Sequence, residues 1–139
     1  MKRLLLASLL LGTVANAQTY NVTERGPTCG ADMSARLVTT TRGPVLGLAL
    51  ASRLTNSFAV VAIGSAAPSP HQLPGGRCQL YVQPRATILG STDANGHARF
   101  AFRVPPVLPI DILFQGVVLD VSPAGRHAVS SDVIQLRGR

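Results

Sequence analysis

Aromatic side chains are scarce in this 139-residue chain, which has no tryptophan, two tyrosines and four phenylalanines. A hydrophobic core built from it therefore consists of Val, Leu, Ile and Ala with a few Phe. Proteins that bind single-stranded nucleic acids carry clustered cations with exposed aromatic rings between them. Because the arginines here are spread singly along the chain, we expect no nucleic-acid partner.

Lysine is absent beyond Lys2, and acidic residues number only six. Removing Lys2 and Arg3 from the 13 basic residues leaves 11, all arginine, and a net charge of about +5. One hypothesis is a surface that binds phosphate or carboxylate groups, which the guanidinium fork pairs with bidentately. The alternative is the codon usage of a GC-rich genome, which favours arginine over lysine whatever the role. The composition alone favours the second explanation.

The apolar run at residues 4–14 is too short to span a bilayer, which takes about 20 residues. It follows two basic residues and precedes the small-residue box Ala15-Asn16-Ala17. This order is typical of a cleaved signal peptide, so we predict a signal peptide at residues 1–17 and a mature chain that begins at Gln18. The expected location is exported: secreted, periplasmic or cell-surface. No transmembrane segment is expected after cleavage.

Cysteine occurs only twice, at Cys29 and Cys78. In an oxidising compartment the pair predicts a disulfide. Free thiols or a weak metal site are the alternatives, but neither cysteine has a CxxC partner or a histidine at ligand spacing.

Short β-type runs lie between proline and glycine turn signals, with no crossover helix. The predicted strands are 34–41, 45–54, 57–65, 78–83, 85–90, 97–104, 112–121 and 129–136. Residues 66–77, "AAPSPHQLPGGR", are predicted to be a loop. The sequence therefore predicts an all-β, antiparallel β-sandwich of Ig-like or Greek-key type with about seven to eight strands, a closed barrel being the alternative. We divide the chain into an N-terminal arm at 18–33 and one domain at 34–139.

Two predicted strands show the alternation that separates a dry face from a wet face. In 45–54 the two faces are Leu46, Leu48 and Leu50 against Gly47, Ala49 and Ala51. In 97–104 they are Ala98, Phe100, Phe102 and Val104 against His97, Arg99, Ala101 and Arg103.

Motifs that carry chemistry are few. The stretch Asp93-Ala94-Asn95-Gly96 begins like a calcium loop, but no closing carboxylate follows. It predicts a β-hairpin turn instead. There is no GxSxG or HExxH motif, and the histidines His71, His97 and His127 are isolated. We therefore assign no catalytic, cofactor or metal residues, although carboxylates that pair only in three dimensions are invisible at this level.

Four segments, "GPVLGLALASRLTNSFAVVAIG", "LPGGRCQLYVQP", "STDANGHARFAFRVP" and "LFQGVVLDVSPAG…AVSSDVIQL", follow one another across residues 43–136. In this order they resemble a secreted, repeat-prone β-rich domain found in many Planctomycetes and some Myxobacteria. The chain departs from that pattern at Gly116, at Arg77 before Cys78, and at "SRLTN". The resemblance implies an exported, sandwich-like domain and transfers no functional residue.

The expected function is an exported, non-enzymatic domain with a structural or binding role at the cell envelope or in the extracellular matrix. Its partner would be an anionic envelope polymer or polysaccharide, and the candidate ligand surface is Tyr81, Arg99 and Arg103. A carbohydrate-recognition module using Tyr81 as a platform is the alternative, and a small secreted hydrolase is a less favoured one. The oligomeric state is left open.

Overall fold

The computed structural model describes residues 19–139, so the predicted signal peptide at 1–17 lies outside the described residues. The described chain is all-β, with eight strands and no helix. The strands are β1 (Tyr20–Arg25), β2 (Ala31–Thr40), β3 (Gly43–Ser52), β4 (Phe58–Gln72), β5 (Gln79–Ser91), β6 (His97–Arg103), β7 (Ile110–Ser122) and β8 (Gly125–Gly138).

Two sheets contain these strands. The larger has the order β1-β8-β7-β4-β5 and the smaller has the order β2-β3-β6. Every ladder is antiparallel. The prediction of an all-β, antiparallel fold is confirmed at this level.

One hydrophobic core lies between the sheets, and strand alternation supplies it. The small sheet contributes Leu46, Leu48 and Leu50 from its central strand, each at most 2% exposed. Residues of the large sheet that pack against them include Val61, Phe114, Val118, Ile134 and Leu136. The predicted apolar faces of 45–54 and 97–104 are therefore the core-facing sides of β3 and β6.

The β4–β5 hairpin bends midway. At the bend Ile63 pairs with Ala86 but Gly64 pairs with Pro84, so Arg85 is an extra residue on β5. A Cβ at Gly64 would overlap the Gln83 carbonyl oxygen, so only glycine fits this close approach. Beyond the bend, residues 65–83, which we call the strap, fold over the outer face of β7 and β8.

A second hydrophobic cluster holds the strap in place. Buried Ala62 and Val133 of the large sheet pack there with Val82 of the strap. The strap tip is fixed by a hydrogen bond from the Ala128 N–H to the Pro74 carbonyl, 3.0 Å. The predicted disulfide between Cys29 and Cys78 is confirmed and ties the end of the strap to the chain beside β8.

Gln115 is the polar centre of this arrangement and is fully buried. Its Oε1 accepts the Tyr81 N–H at 2.7 Å, while its Nε2 donates to the Gln79 and Ser131 carbonyls, each at 3.1 Å. Tyr81 has no partner in the β4–β5 ladder, because four residues, 67–70, bulge out opposite it. Gln115 therefore supplies the acceptor that this bulge removes.

The predicted loop at 66–77 is confirmed at 73–77 and wrong at 66–72, which belongs to β4. β4 continues to Gln72, and the connection to β5 is only six residues long. Pro68 and Pro70 did suggest a break, but both lie in the bulge, where a residue without an N–H loses no ladder hydrogen bond. The predicted strands 78–83 and 85–90 are one strand, β5, on the edge of the large sheet.

The segment 18–33, predicted as an arm, contains β1 and the start of β2. β1 pairs along β8 from Tyr20↔Gly138 to Arg25↔Val133. Cys29 then continues beside Ser130 through two reciprocal hydrogen bonds of 2.9 Å. The strand order explains why the segment was not predicted as a strand, since its partner lies more than 100 residues away in the chain.

Replacing Gln115 with Leu is expected to lower the free energy of unfolding by about 2–4 kcal/mol. The variant leaves one N–H and two carbonyls without partners, and each unsatisfied buried group costs about 1–3 kcal/mol. Urea denaturation measures the loss. Gln83→Leu, at an exposed position of the strap, is the control and should change stability by no more than about 0.5 kcal/mol. A loss below about 1 kcal/mol for Gln115→Leu would contradict its bridging role.

Removing the disulfide in a Cys29→Ala/Cys78→Ala variant should cost about 4 kcal/mol, because the bridge closes a loop of about 50 residues in the unfolded chain. Hydrogen exchange should quicken in the strap more than in β3 and β6, which the bridge does not touch. Unchanged protection of the strap in the variant would show that Gln115 and the second cluster hold it without the bridge.

Candidate functional site

The outer face of the three-stranded sheet has a floor of small residues. Strand pairing aligns Ala51 with Asp32 and His97, Ala49 with Ser34 and Arg99, and Gly47 with Arg36 and Ala101. Neighbouring strands lie about 4.8 Å apart, so the flanking side chains of β2 and β6 stand roughly 10 Å from each other. A central strand of small residues between two strands of longer ones forms a groove.

Two adjoining cavities occupy this groove and share Ser34, Ala49 and Arg99 in their walls. The larger, about 760 Å³, extends past β2 to the end of β1 and to Asp132 of β8. The smaller, about 310 Å³, continues toward Arg36 and Val38. The groove therefore runs over Gly47 to Ala51 of β3 and continues past β2 to the end of β1.

Three arginines surround the second half of the groove. Arg36 and Arg99 line it, while Arg103 lies one row further on the same face, beside Val45. All three are exposed. Within residues 19–139 none of the three makes an ion pair or a side-chain hydrogen bond, and the one ion pair there joins Arg137 to Asp111. These guanidinium groups are therefore available to an external anion.

Carboxylates lie at the opposite end. Glu24, Asp32 and Asp132 line the larger cavity. Glu24 and Asp32 are exposed, whereas Asp132 is 7% exposed and its Oδ1 accepts the Met33 N–H at 3.0 Å. This hydrogen bond satisfies a donor on the free edge of β2 and links the two sheets. The larger cavity is consequently mixed in charge, because Arg25, His97 and Arg99 line it together with these carboxylates. The smaller cavity has arginines and no carboxylate in its walls.

Tyr81 does not belong to this surface. It is half-buried in the strap, packs against the second hydrophobic cluster, and lines a separate depression of about 240 Å³ beside Cys29 and Cys78. The structure thus brings Arg99 and Arg103 together on one face and places Tyr81 on the other sheet.

Sequence analysis missed Arg36 and the three carboxylates. The small residues on β3 and the arginines on β6 were both visible as alternating faces, yet their adjacency depends on the β3–β6 pairing. Arg36 stands between the apolar residues Ala35 and Leu37. This alternation predicts that its side chain lies on the solvent-exposed face of the strand. Asp132 carried no such signal, because a bulge determines its direction.

The stretch Asp93–Gly96 is a turn that joins the sheets. Asp93 Oδ1 accepts the N–H groups of Asn95 at 2.8 Å and His97 at 2.9 Å, and Gly96 has a φ of 80°. The predicted turn is confirmed, but the predicted hairpin is wrong, because β5 and β6 belong to different sheets. A Cβ at Gly96 would overlap the Ser52 carbonyl oxygen, so the turn also packs against the end of β3.

Comparisons with protein-family models, curated proteins and solved structures find no significant match. In the part of the chain that the structure describes, no helix is long and apolar enough to cross a membrane. Over the same residues, no three His, Cys, Asp or Glu side chains are grouped so that they could hold a metal ion.

The hydrogen bonds from the His97 and Asn95 N–H groups lower the pKa of Asp93, and the charges of His97 and Arg99 add to this. The ionised carboxylate therefore stabilises the fold above its unfolded pKa of about 3.9, and this contribution is lost as the pH falls through the lower folded pKa. Asp93→Asn should melt at a lower temperature than the wild type at pH 7, with the difference vanishing toward pH 2. A difference that stayed constant down to pH 2 would contradict this role for the charge.

Proposed function

We propose that this protein is an exported, non-enzymatic binding domain whose groove on the three-stranded sheet binds an extended anionic polymer, such as a polysaccharide, of the cell envelope or extracellular matrix. The observation that carries the proposal is the placement of Arg36, Arg99 and Arg103 around a floor of small residues, without ion-pair partners in residues 19–139.

The chemistry of arginine suits such a ligand. Each guanidinium offers several donors in a planar fork that matches carboxylate or phosphate oxygens. Arg99 and Arg103 are four residues apart on one strand, roughly 13 Å at 3.3 Å per residue, and Arg36 lies across the groove between their rows. A chain with repeated anionic groups can contact all three, whereas a small anion cannot.

The proposed export rests on two features. Residues 1–17 have the order of charges and apolar residues of a signal peptide, and the Cys29–Cys78 disulfide belongs to oxidising compartments. The final location, whether periplasm, cell surface or medium, follows from where the polymer lies.

We also propose that the two sheets form a β-sandwich of Ig-like, Greek-key type. The strand order β2-β3-β6 opposite β8-β7-β4-β5 corresponds to A-B-E opposite G-F-C-C′ in that architecture. In this interpretation β1 is an additional edge strand that pairs with the last strand.

Co-sedimentation with purified cell envelopes of the source organism tests the binding. The oxidised mature protein should pellet at low salt and be released near 0.5 M salt, because screening weakens exposed charge interactions. An Arg36→Ala/Arg99→Ala/Arg103→Ala variant should bind at least about tenfold more weakly, since each charge-assisted hydrogen bond contributes about 1.5–3 kcal/mol. Ala49→Tyr, which fills the exposed floor, should weaken binding without removing charge.

The matched control is Arg85→Ala/Arg126→Ala/Arg139→Ala, which removes the same charge from exposed positions in the large sheet and just after its strand β8. It should bind nearly as well as the wild type. If both triple variants lost the same amount of envelope binding, net charge alone would explain the loss. That result would contradict binding at the groove. A protein that remained in the supernatant at both salt concentrations would overturn the proposal.

A further inference from the structure

The four edge strands of the two sheets differ in how they are protected against pairing with another strand. Free edges in proteins are commonly protected by charged side chains, prolines or bulges. Three of the edge strands, β1, β2 and β6, each carry at least two charged residues: Glu24 and Arg25, Asp32 and Arg36, Arg99 and Arg103. These three edges are therefore poor templates for a further strand.

The fourth edge, on β5, lacks this protection over six residues. Pro84 and the bulged Arg85 precede the stretch, but residues 86–91, "ATILGS", contain neither a charge nor a proline. Pairing with β4 is regular over this stretch, from Ile63↔Ala86 to Phe58↔Ser91. Because β5 is the last strand of its sheet, the backbone groups that point away from β4 have no strand beside them in residues 19–139.

Exposed apolar side chains adjoin this edge. Leu89 is 65% exposed and Phe58 is 49% exposed. Leu89 pairs with Val60, and Phe58 lies one row further on the same outer face, beside Leu119 of β7. The apolar strip therefore continues from the free edge across β4 to β7. Contiguous exposed apolar surface indicates contact with another molecule, whereas apolar residues scattered singly do not.

The charges that bound the stretch identify its occupant. Arg85 precedes it and Asp93 follows it, and both are exposed. Neither forms an ion pair within the described chain. When the stretch pairs antiparallel with the same stretch of a second copy, each Arg85 approaches the partner's Asp93, so opposite charges meet at both ends. Parallel pairing would bring like charges together instead.

We propose that this protein forms a symmetric dimer in which residues 86–91 of two copies pair antiparallel and join the two large sheets into one. The two-fold axis is perpendicular to the joined sheet, so Leu89 lies beside the partner's Leu89 on its outer face. Both three-stranded sheets lie on the other side, and their two grooves face the same way. The inference does not rest on the proposed function, because it concerns a different edge of the molecule.

The size of this contact predicts a reversible dimer. A Cβ at Gly90 would approach Phe100 Cε1 to 2.8 Å, so β6 lies directly beneath the edge. Six residues span roughly 20 Å, and two layers about 10 Å apart are roughly 20 Å high with their side chains. Such a contact buries on the order of 800 Å² in total, which is typical of weak, transient interfaces. The dimer should therefore dissociate on dilution.

Sedimentation equilibrium of the oxidised mature protein tests the dimer between about 1 µM and 1 mM, where a weak association is populated. The wild type should change from monomer to dimer over this range. Leu89→Lys should raise the dissociation constant at least about tenfold, because it places like charges next to each other across the axis. Val107→Lys is the matched control, since Val107 is also 65% exposed but lies between β6 and β7. It should leave the dissociation constant unchanged.

Arg85→Glu tests the antiparallel arrangement. It should weaken the dimer by about threefold or more, because like charges then meet at both ends of the paired stretch, and added salt should reduce the difference. Arg126→Glu makes the same change of charge at an exposed position of β8 and should not alter dimerisation. An equal effect of the two variants would contradict the pairing of Arg85 with the partner's Asp93.

Hydrogen exchange identifies the edge that pairs. Amides in residues 86–91 should exchange more slowly in the concentrated protein than in the dilute protein, while those of β1 should not change. A protein that stays monomeric at about 1 mM, or a dimer in which residues 86–91 gain no protection, would rule out this pairing. If these residues gained protection only on cell envelopes, the edge would bind another molecule and the proposed dimer would be wrong.

Discussion

The side chain of Gln115 is the interaction on which the rest of this structure depends. It joins three segments of backbone: Tyr81 and Gln79 in the strap, and Ser131 on β8. The same region of β8 is bulged, with the Gly116 N–H donating to Ser131 Oγ at 2.9 Å. Gln115 and Ser131 are buried and the contacts to Tyr81 and Gln79 are partly buried, so losing the glutamine would leave the bulge and the strap without partners at once. The bulge then directs Asp132 to the edge of β2, where its carboxylate accepts the Met33 N–H and links the two sheets.

Close packing across the core explains why the groove lies on the opposite face. A Cβ on Gly116 would approach Leu50 Cδ1 to 2.6 Å, so the glycine gives room to the leucine of the facing sheet. β3 obtains its stability from Leu46, Leu48 and Leu50 on the core side. The residues on its outer face, such as Gly47 and Ala49, do not pack in the core, so small side chains are tolerated there. A floor of small residues in a central strand weakens the sheet slightly and leaves space for a ligand.

Much of the fold could be predicted because the relevant signals are local. Alternation in 45–54 and 97–104 identified both faces of β3 and β6, and two cysteines in a chain expected to be exported predicted the disulfide. What could not be predicted is non-local. The pairing of Ala49 with Arg99 joins residues 50 positions apart, and β1 finds its partner at the other end of the chain. Pro68 and Pro70 indicated a loop, because sequence alone cannot show that a bulge in the strand will accommodate them. Nor can it show that Gln115 will accept the hydrogen bond from the Tyr81 N–H opposite the bulge.

The arginines show how placement can decide between explanations that composition leaves open. A codon preference would account for the cations being arginine, but it would not account for where they lie. On the large sheet Arg25 donates to Gln135 and Arg137 pairs with Asp111, whereas Arg85 and Arg126 form no ion pair in the described chain. On the small sheet Arg36, Arg99 and Arg103 share one face, without an ion pair in the described chain. Like charges concentrated on one face repel each other weakly and gain nothing from the fold itself. We propose that this common face, beside the groove, serves an external ligand, because a codon preference alone would not place the three arginines together.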